Sequence, residues 1–234
     1  MVKENLEQVR ARIAAAAKRA GRDPAGVRLI AVTKGVPAPH IEEAIACGIQ
    51  DVGENRVQEA QEKQLILRPF DKLRAGGAKD ERAIRWHLIG HLQRNKVKQA
   101  LELFDCIHSV DSLELVEALD KALRQAQGER RFPMLVQVNV SGEATKCGCT
   151  PEETAKLVET IRSSHNLECQ GLMTMAPYSG NPESARPFFR RLHELAGRMK
   201  LKELSMGMSG DFEAAVEEGA TMVRIGTAIF GGRQ

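Results

Sequence analysis

The alternation of short apolar runs with amphipathic segments constrains the fold of this chain more than any other feature. Eight runs suited to buried strands alternate with segments that place apolar residues every three or four positions, the spacing of a helix face. The runs are residues 27–34, 49–55, 84–90, 105–110, 133–140, 167–175, 203–209 and 221–231. Strand–helix alternation predicts a parallel sheet, and eight strands are enough to close it into a barrel. We therefore predict an α/β fold, a (β/α)8 TIM barrel, with a doubly wound open sheet as the alternative.

An additional helix is predicted before the first run. Leu6, Val9 and Ile13 follow helical spacing, and Gly21 and Pro24 end the pattern. The segment lacks the continuous apolar core of a secretory signal. We therefore expect a folded amphipathic helix rather than a targeting peptide.

The organisation of the chain is that of one domain over residues 1–234, because no internal repeat, low-complexity block or linker interrupts the alternation. Residues 68–81 combine a glycine pair with no apolar periodicity, which predicts a surface loop before the third strand. The segment "TPEE" predicts a helix start, with Thr150 as N-cap and Glu153 completing a capping box.

The charge and cysteine content exclude several classes of function. Lys and Arg total 34 against 31 Asp and Glu, a net charge of +3, which lacks the basic excess of a dedicated nucleic-acid-binding protein. The five cysteines show no zinc-ligand spacing, and no apolar run approaches the length of a membrane span. We expect a cytoplasmic protein with reduced thiols and no metal, nucleic-acid or membrane partner.

Lys34 is the sharpest candidate for chemistry, because it ends an apolar run that otherwise suits a buried strand. Reactive groups of α/β barrels collect at the carboxyl ends of the strands. Apolar surroundings there would favour the neutral amine, which can form a Schiff base with an aldehyde or ketone. The alternative is a lysine that extends into solvent at the rim of the barrel.

The loops after the seventh and eighth strands predict a phosphate site. In barrels these two loops present backbone N–H groups and a helix N-terminus to an anion. Ser209, Gly226 and Thr227 supply two hydroxyls and a close backbone approach, and ordinary turns are the alternative. Because the charge of Asp211 would oppose phosphate, we expect this residue to cap a helix and face away.

Arg224 and Asn55 complete the candidate site. Arg224 alternates with Val223 and Ile225 along a strand, so it faces the opposite side, toward the barrel mouth. A buried guanidinium there requires either a carboxylate or a ligand atom. Asn55 follows a strand and either contacts a ligand or caps the next helix. We interpret His87, inside a strand, as a hydrogen-bonded core histidine.

An amine combined with a phosphate site narrows the ligand to a phosphorylated carbonyl compound. Two ligands satisfy that description. One is pyridoxal 5′-phosphate (PLP), held by Lys34 as a Schiff base. The other is a sugar phosphate, held by a Schiff-base aldolase that uses no PLP. The residues alone leave both ligands open.

Motifs along the chain carry a family resemblance. They read "LIAVTKGVP", "DVGENRVQEAQEK", "WHLIGHLQRNK", "VQVNVSGEATKCGC", "GLMTMAP" and "LSMGMSGDFEAAVEEGATMVRIGTAIFG". Together they closely resemble the pyridoxal phosphate homeostasis proteins (the YggS/PROSC family), short relatives of the N-terminal barrel of alanine racemase. The resemblance implies a barrel like that of PLP enzymes of fold type III. Two departures are Thr33, where we expect a serine before the lysine, and an apparent insertion at residues 68–81.

The resemblance implies a role toward PLP for each candidate residue. Lys34 would form the Schiff base, and Asn55 would lie beside the pyridine ring. Arg224 would meet the pyridine nitrogen, keep it unprotonated and so limit carbanion chemistry. The phosphate would be held by Ser209, Gly226 and Thr227.

The resemblance also implies a PLP-binding homeostasis or carrier protein rather than an enzyme. Racemases and decarboxylases of this fold class need a second, β-rich domain, for which the sequence after Gly231 leaves no room. We expect PLP as the cofactor, transient contact with PLP-dependent enzymes, and a monomer or weak dimer. A small PLP-dependent amino-acid racemase, with Lys34 acting alone, is the alternative.

Overall fold

Eight parallel strands close into a barrel in the computed structural model, which describes residues 1–74, 84–126, 131–143 and 145–232. The strands are β1 (Arg28–Val32), β2 (Asp51–Glu54), β3 (Arg85–Leu88), β4 (Cys106–Val110), β5 (Phe132–Gln137), β6 (Leu167–Met173), β7 (Glu203–Ser205) and β8 (Met222–Ile225). Each strand pairs with the next along the chain, and β8 returns to β1 with Arg224 opposite Ile30. The predicted barrel is confirmed, and the open-sheet alternative is wrong.

Helices alternate with these strands, as the apolar spacing predicts. They are α1 (Val2–Arg19), α2 (Ala38–Ala46), α3 (Val57–Arg74), α4 (Val97–Leu103), α5 (Leu113–Ala126), α6 (Pro151–Ser163), α7 (Arg186–Arg198), α8 (Phe212–Glu217) and α9 (Thr227–Phe230). The predicted capping box starts α6: the Glu153 N–H donates to Thr150 Oγ1 at 3.3 Å, and the Thr150 N–H donates to Glu153 Oε2 at 2.9 Å. Within the described ranges, no helix is long and apolar enough to cross a membrane.

Helix α1 buries the apolar face that the sequence predicts and docks on the last elements of the chain. Leu6, Val9 and Ile13 are all buried. The Asn5 side-chain amide donates to the Ile229 carbonyl oxygen at 2.8 Å, which joins α1 to α9. Just after α1, the guanidinium of Arg22 donates to the carbonyl oxygen of Val216, in α8, and to that of Ala220, in the turn after α8. Helix α1 therefore packs against α8 and α9.

Two predicted boundaries are corrected by the structure. The loop predicted over residues 68–81 is wrong in its first half, because α3 continues to Arg74 and the glycine pair that signals a break comes only afterwards. The second half, residues 75–81, lies outside the described residues. The final apolar run, residues 221–231, is not one strand: β8 ends at Ile225, and α9 follows Gly226. A short apolar run in which the apolar residues show no clear periodicity does not distinguish a strand from a short helix.

The strand residues of one face form the inside of the barrel, and this interior is partly polar. A small apolar cluster, separate from the main core, contains Ile30, Leu135, Met173 and Met222. Met222 and Arg224 share a face of β8, since side chains alternate along a strand. The buried polar residues on the strands include Asp51, His87, His108, Ser205 and Arg224. These groups lie beneath the carboxyl ends of the strands, where the candidate site is found.

Candidate functional site

A cavity of about 450 Å³ opens at the carboxyl ends of the strands. Its lining comes from loops after different strands, as expected for a barrel of this type. All six residues predicted from the sequence line it, namely Lys34, Asn55, Ser209, Arg224, Gly226 and Thr227. The structure therefore brings the predicted residues together in one pocket, while their contacts with a ligand stay a prediction.

Lys34 lies two residues beyond the end of β1. Val32 is the last strand residue, Thr33 is fully buried, and the Lys34 side chain is exposed and lines the pocket. The apolar, desolvating surroundings that we expected are therefore not supplied by the protein alone. A ligand that fills the pocket would cover the amine.

An ionic cluster beneath Lys34 holds the segment that carries it, residues 33–35, which we call the lysine loop. Lys63, on α3, donates from Nζ to the Thr33 carbonyl oxygen. The same Nζ lies 2.7 Å from Glu54 Oε1 and 2.6 Å from Glu59 Oε1. The Thr33 hydroxyl donates to Glu54 Oε1 at 2.5 Å. One buried ammonium group thus connects the lysine loop to β2 and α3.

The other side of the lysine loop is fixed through Gly35. Its N–H donates to Glu59 Oε1 at 2.5 Å, and its φ of 67° lies in the left-handed region that favours glycine. Residues on both sides of Lys34 are therefore tied to the same cluster. The backbone of Lys34 is positioned by these contacts, and its side chain is left to reach the pocket.

The two carboxylates of this cluster respond differently to their surroundings. Burial raises the pKa of Glu54 above its ordinary value, and the hydrogen bonds from Lys63 and Thr33 offset only part of that effect. Glu54 Oε2 is buried without a hydrogen-bond partner among the described residues. Burial also acts to raise the pKa of the less buried Glu59, but hydrogen bonds from Lys63 and the Gly35 N–H outweigh it and lower that pKa. Glu54 is thus the costly member of the cluster to keep ionised.

Arg224 places a buried guanidinium in the pocket wall, with only 4% of the residue exposed. Its Nη1 donates to Ser205 Oγ at 2.6 Å, and its Nη2 donates to the Thr174 carbonyl oxygen at 2.8 Å. Burial lowers the pKa of Arg224 to about 10, and the attraction of Asp211 opposes that shift. A guanidinium carries five N–H donors and these two contacts use two of them, so further N–H groups of this cation can donate to a ligand atom.

The loops after β7 and β8 are joined directly. Ser209 Oγ accepts a hydrogen bond from the Ala228 N–H at 3.2 Å. Gly226 packs against the end of β1, because a Cβ added there would lie 3.3 Å from the Val32 carbonyl oxygen. Thr227 follows as the first residue of α9, with an exposed side chain. The three predicted phosphate-site residues therefore form one continuous corner of the pocket.

The prediction that Asp211 faces away is wrong. It occupies the N-cap position of α8 but makes no side-chain cap hydrogen bond. Its Oδ1 instead accepts from the Met208 N–H at 2.6 Å, and the residue lines the pocket. Burial raises the pKa of Asp211 despite that hydrogen bond and the attraction of Arg224. In the turn over residues 208–211, the Met208 N–H lies close enough to donate a hydrogen bond to the Asp211 carboxylate.

Asn55 lies between β2 and α3, and the helix-cap interpretation of it is wrong because α3 begins two residues later, at Val57. Gly90, after β3, packs closely against it. A Cβ built on Gly90 would lie 2.3 Å from the Asn55 carbonyl oxygen, so a larger residue at 90 would displace Asn55. Close packing, rather than capping, determines where Asn55 meets the pocket.

His87 is a hydrogen-bonded core histidine, as predicted. Its Nε2 lies 2.8 Å from Asp51 Oδ1, and its Nδ1 lies 3.0 Å from His108 Nε2. Cys106 is the third member of a group whose ligand-type atoms all lie within 4.8 Å of one another. The facing imidazole nitrogens are at hydrogen-bond distance, and burial raises the pKa of the Cys106 thiol. We therefore interpret the group as polar core rather than as a metal site.

Several pocket residues were not identified from the sequence. They include Tyr178, which is 95% exposed on the loop after β6. The rule that used strand ends could have found this residue, because "APYSG" (residues 176–180) begins three positions after Met173, the end of β6. The further lining residues outside the prediction include Ile89, His91, Gln137, Cys147, Met175, Pro177 and Asn181.

The fold and the position of the pocket define a class of protein, the barrel of the alanine racemase N-terminal type. The family model described as "Alanine racemase, N-terminal domain" matches residues 5–234. An alanine racemase of Clostridium difficile shares the fold with a TM-score of 0.67, at 13% identity, over 99% of this chain and 56% of that chain. That likeness concerns the barrel alone.

Full-length relatives narrow the assignment. A pyridoxal phosphate homeostasis protein of Pseudomonas aeruginosa is 43% identical over 99% of this chain and 96% of its own length. One from Aquifex aeolicus is 42% identical over 99% of this chain and 98% of its own length. The structure of PipY from Synechococcus elongatus with PLP bound superposes with a TM-score of 0.81, at 34% identity, over 99% of this chain and 100% of that one. The chain belongs to the family of pyridoxal phosphate homeostasis proteins.

Proposed function

We propose that this protein binds PLP as a Schiff base on Lys34 and takes part in intracellular PLP homeostasis. The observation that carries the proposal is the pocket itself, which combines an exposed amine with a buried guanidinium and the joined corner of Ser209, Gly226 and Thr227. The names of the relatives and the PLP bound to PipY support the same ligand.

The pocket fits PLP in size and in the chemistry of its groups. Its volume of about 450 Å³ lies within the range of small-molecule sites, roughly 300–1,000 Å³. PLP supplies an aldehyde for the amine of Lys34 and a phosphate for the corner after β7 and β8. Arg224 is a cation with N–H donors, so it suits an unprotonated ring nitrogen as acceptor. We assign Asn55 to the edge of the ring.

The charge of Arg224 favours a carrier over an enzyme. A ring nitrogen that accepts from a guanidinium stays unprotonated, and an unprotonated ring is a weaker electron sink for the carbanions of racemisation. We therefore propose that the protein retains and releases PLP rather than turning over amino acids. In this proposal residues 1–234 act as one domain, as a monomer or weak dimer, and contact PLP-dependent enzymes only transiently.

The test is the visible spectrum of purified protein titrated with PLP, followed by borohydride reduction and peptide mapping. Wild type should develop a Schiff-base band, and reduction should fix PLP on the peptide that contains Lys34. Lys34→Ala should lose both signals. Lys18→Ala, which removes an exposed lysine of α1, is the matched control and should retain them.

Other outcomes would reject the proposal. A wild-type protein without a band would exclude PLP and favour a sugar phosphate, which cleavage assays with sugar phosphates would test. PLP fixed mainly on another lysine would reject the role of Lys34. Racemisation of L-alanine that disappears in Lys34→Ala would replace the carrier with a small racemase.

A further inference from the structure

A continuous series of hydrogen bonds runs through the inside of the barrel, from the pocket to the opposite end of the strands. It begins at Arg224 Nη1, which lies 2.6 Å from Ser205 Oγ. Ser205 Oγ lies 2.9 Å from His108 Nδ1, and His108 Nε2 lies 3.0 Å from His87 Nδ1. His87 Nε2 lies 2.8 Å from Asp51 Oδ1. We call these five residues the interior chain.

Every member of the interior chain is at least nine-tenths buried, with exposed fractions of 4% or less. Five different strands contribute to it. Asp51 is the first residue of β2, where Arg85 also pairs with it through Nη2 at 2.7 Å. The interior chain therefore connects the Arg224 cation in the pocket wall to the Asp51 carboxylate at the amino ends of the strands. Such groups are costly to bury unless each donor meets an acceptor.

The donor of each link follows from the two charged ends. A guanidinium only donates, so Ser205 Oγ accepts from Arg224. At the far end burial acts to raise the pKa of Asp51, but hydrogen bonds from His87 and Arg85 outweigh it and lower that pKa. An ionised Asp51 only accepts, so His87 Nε2–H is the donor to it.

The middle links follow from the neutral state of His108. Burial lowers the pKa of His108 well below its ordinary value, so the imidazole is neutral and has one donor nitrogen and one acceptor. If Nδ1 accepts, the Ser205 hydroxyl proton has a partner, and His108 Nε2–H donates to His87. In the reverse tautomer His108 Nδ1–H would donate to Ser205 Oγ, and neither His108 nor Arg224 could accept the proton of the Ser205 hydroxyl.

We infer that His108 and His87 are positioning residues for Arg224, acting through Ser205. Their Nε2–H tautomers direct every donor from Arg224 toward Asp51 and so present a lone pair of Ser205 to the guanidinium. That contact, with the Thr174 carbonyl oxygen on Nη2, fixes the plane of the guanidinium in the pocket wall. The inference deepens the proposed function and rests on it, since the fixed N–H groups would meet the ring of PLP.

The first experiment reads the tautomers in the ligand-free protein. Side-chain 15N–1H NMR of protein labelled at histidine distinguishes Nδ1–H, Nε2–H and imidazolium forms. We expect His108 and His87 as neutral Nε2–H tautomers near pH 7.5, assigned by His108→Gln and His87→Gln spectra. An Nδ1–H or imidazolium form of His108 would overturn the inference, whatever the protein binds.

The second experiment reads the effect on the pocket. Ser205→Ala should weaken PLP binding about tenfold, the equivalent of about 1.4 kcal/mol, and shift the absorption maximum of bound PLP. Ser205→Thr, which keeps the hydroxyl, should restore both. Leu157→Met changes a buried apolar residue of α6, on the outside of the barrel, and should leave both unchanged. A role in stability alone would lower the melting temperature of Ser205→Ala without moving the band.

The results separate this inference from the proposed function. A wild-type protein that binds PLP, with Ser205→Ala matching it in affinity and absorption maximum, would overturn the inference and leave the proposed function standing. A wild type that does not bind PLP would reject the proposed function. In that case the NMR tautomers alone decide whether the interior chain holds Arg224 as we infer.

Discussion

Replacing Lys63 with methionine isolates the ionic cluster beneath the lysine loop. Methionine keeps a long apolar side chain in a position that is 7% exposed, but removes the ammonium group that contacts Thr33, Glu54 and Glu59. Glu54, which is fully buried, would keep the Thr33 hydroxyl as hydrogen-bond donor and lose its cation. The substitution therefore leaves an uncompensated carboxylate in the core.

The expected loss of stability is large. Removing one partner of a buried ion pair costs about 3–5 kcal/mol. For a protein of this size each kcal/mol corresponds to a shift of about 2–4 °C, so the melting temperature should fall by roughly 6–20 °C. Urea unfolding followed by far-UV circular dichroism gives the free energy of unfolding at each pH.

The pH dependence of the loss of stability tests whether the buried charge of Glu54 is its cause. Because the pKa of Glu54 is raised in the folded protein, its cost is absent below the unfolded value of about 4.5 and develops as pH rises above it. Without Lys63 this pKa should rise further. Glu59 acts in the same direction. Its pKa is lowered in the wild type, so the stability that its contacts contribute is lost as pH falls. The stability difference between Lys63→Met and wild type should grow from pH 4.5 to pH 8.

The double variant Glu54→Gln with Lys63→Met is the matched control. Removing the buried charge together with its cation should recover most of the lost stability, since replacement of both partners is often near neutral. The reasoning would be refuted by a stability difference that is the same at pH 5 and pH 8. It would also be refuted by a double variant less stable than Lys63→Met.

Two further substitutions test local packing and capping. Gly90→Ala should destabilise the protein by about 1–3 kcal/mol, because its Cβ would meet the Asn55 backbone, whereas Gly26→Ala, with open space around it, should differ by less than about 0.5 kcal/mol in the same urea unfolding. Equal effects of the two would contradict the packing argument. Thr150→Ala removes the acceptor of the Glu153 N–H and should cost about 1 kcal/mol, while Thr150→Ser should retain most of the stability; a Thr150→Ser variant as unstable as Thr150→Ala would exclude capping as the cause.

The fold was predictable from the sequence because its signals are local. Apolar runs at strand length and helical spacing between them are read within short windows, and the capping box at Thr150 spans four residues. The end of β8 was not predictable in the same way. Residues 222–230 are apolar throughout apart from Arg224, Gly226 and Thr227, and only the hydrogen bonds of α9 separate helix from strand there.

The candidate site was predictable where one rule applied, namely that functional groups lie at the carboxyl ends of barrel strands. The rule, with the family resemblance, placed Lys34 and Arg224 in one pocket although 190 positions separate them in the sequence. It did not reveal what holds them. Ser205 and His108 lie 97 residues apart, and the ammonium of Lys63 had no pattern to distinguish it from a solvated helix residue. Such contacts depend on barrel closure and leave no local signal.

Helix α1 docks on α8 and α9, which are synthesised much later, and this delay has a consequence during translation. Helix α1 leaves the ribosome before the strands and can contact α2 early, yet its hydrogen bonds to α8 and α9 cross 198 to 224 residues. At translation rates of about 5–20 residues per second, those partners follow roughly 10–40 s later. During that interval the part of the apolar face that α8 and α9 cover lacks these two partners. The nascent chain therefore exposes part of the apolar face of α1 to solvent until α8 and α9 have been made.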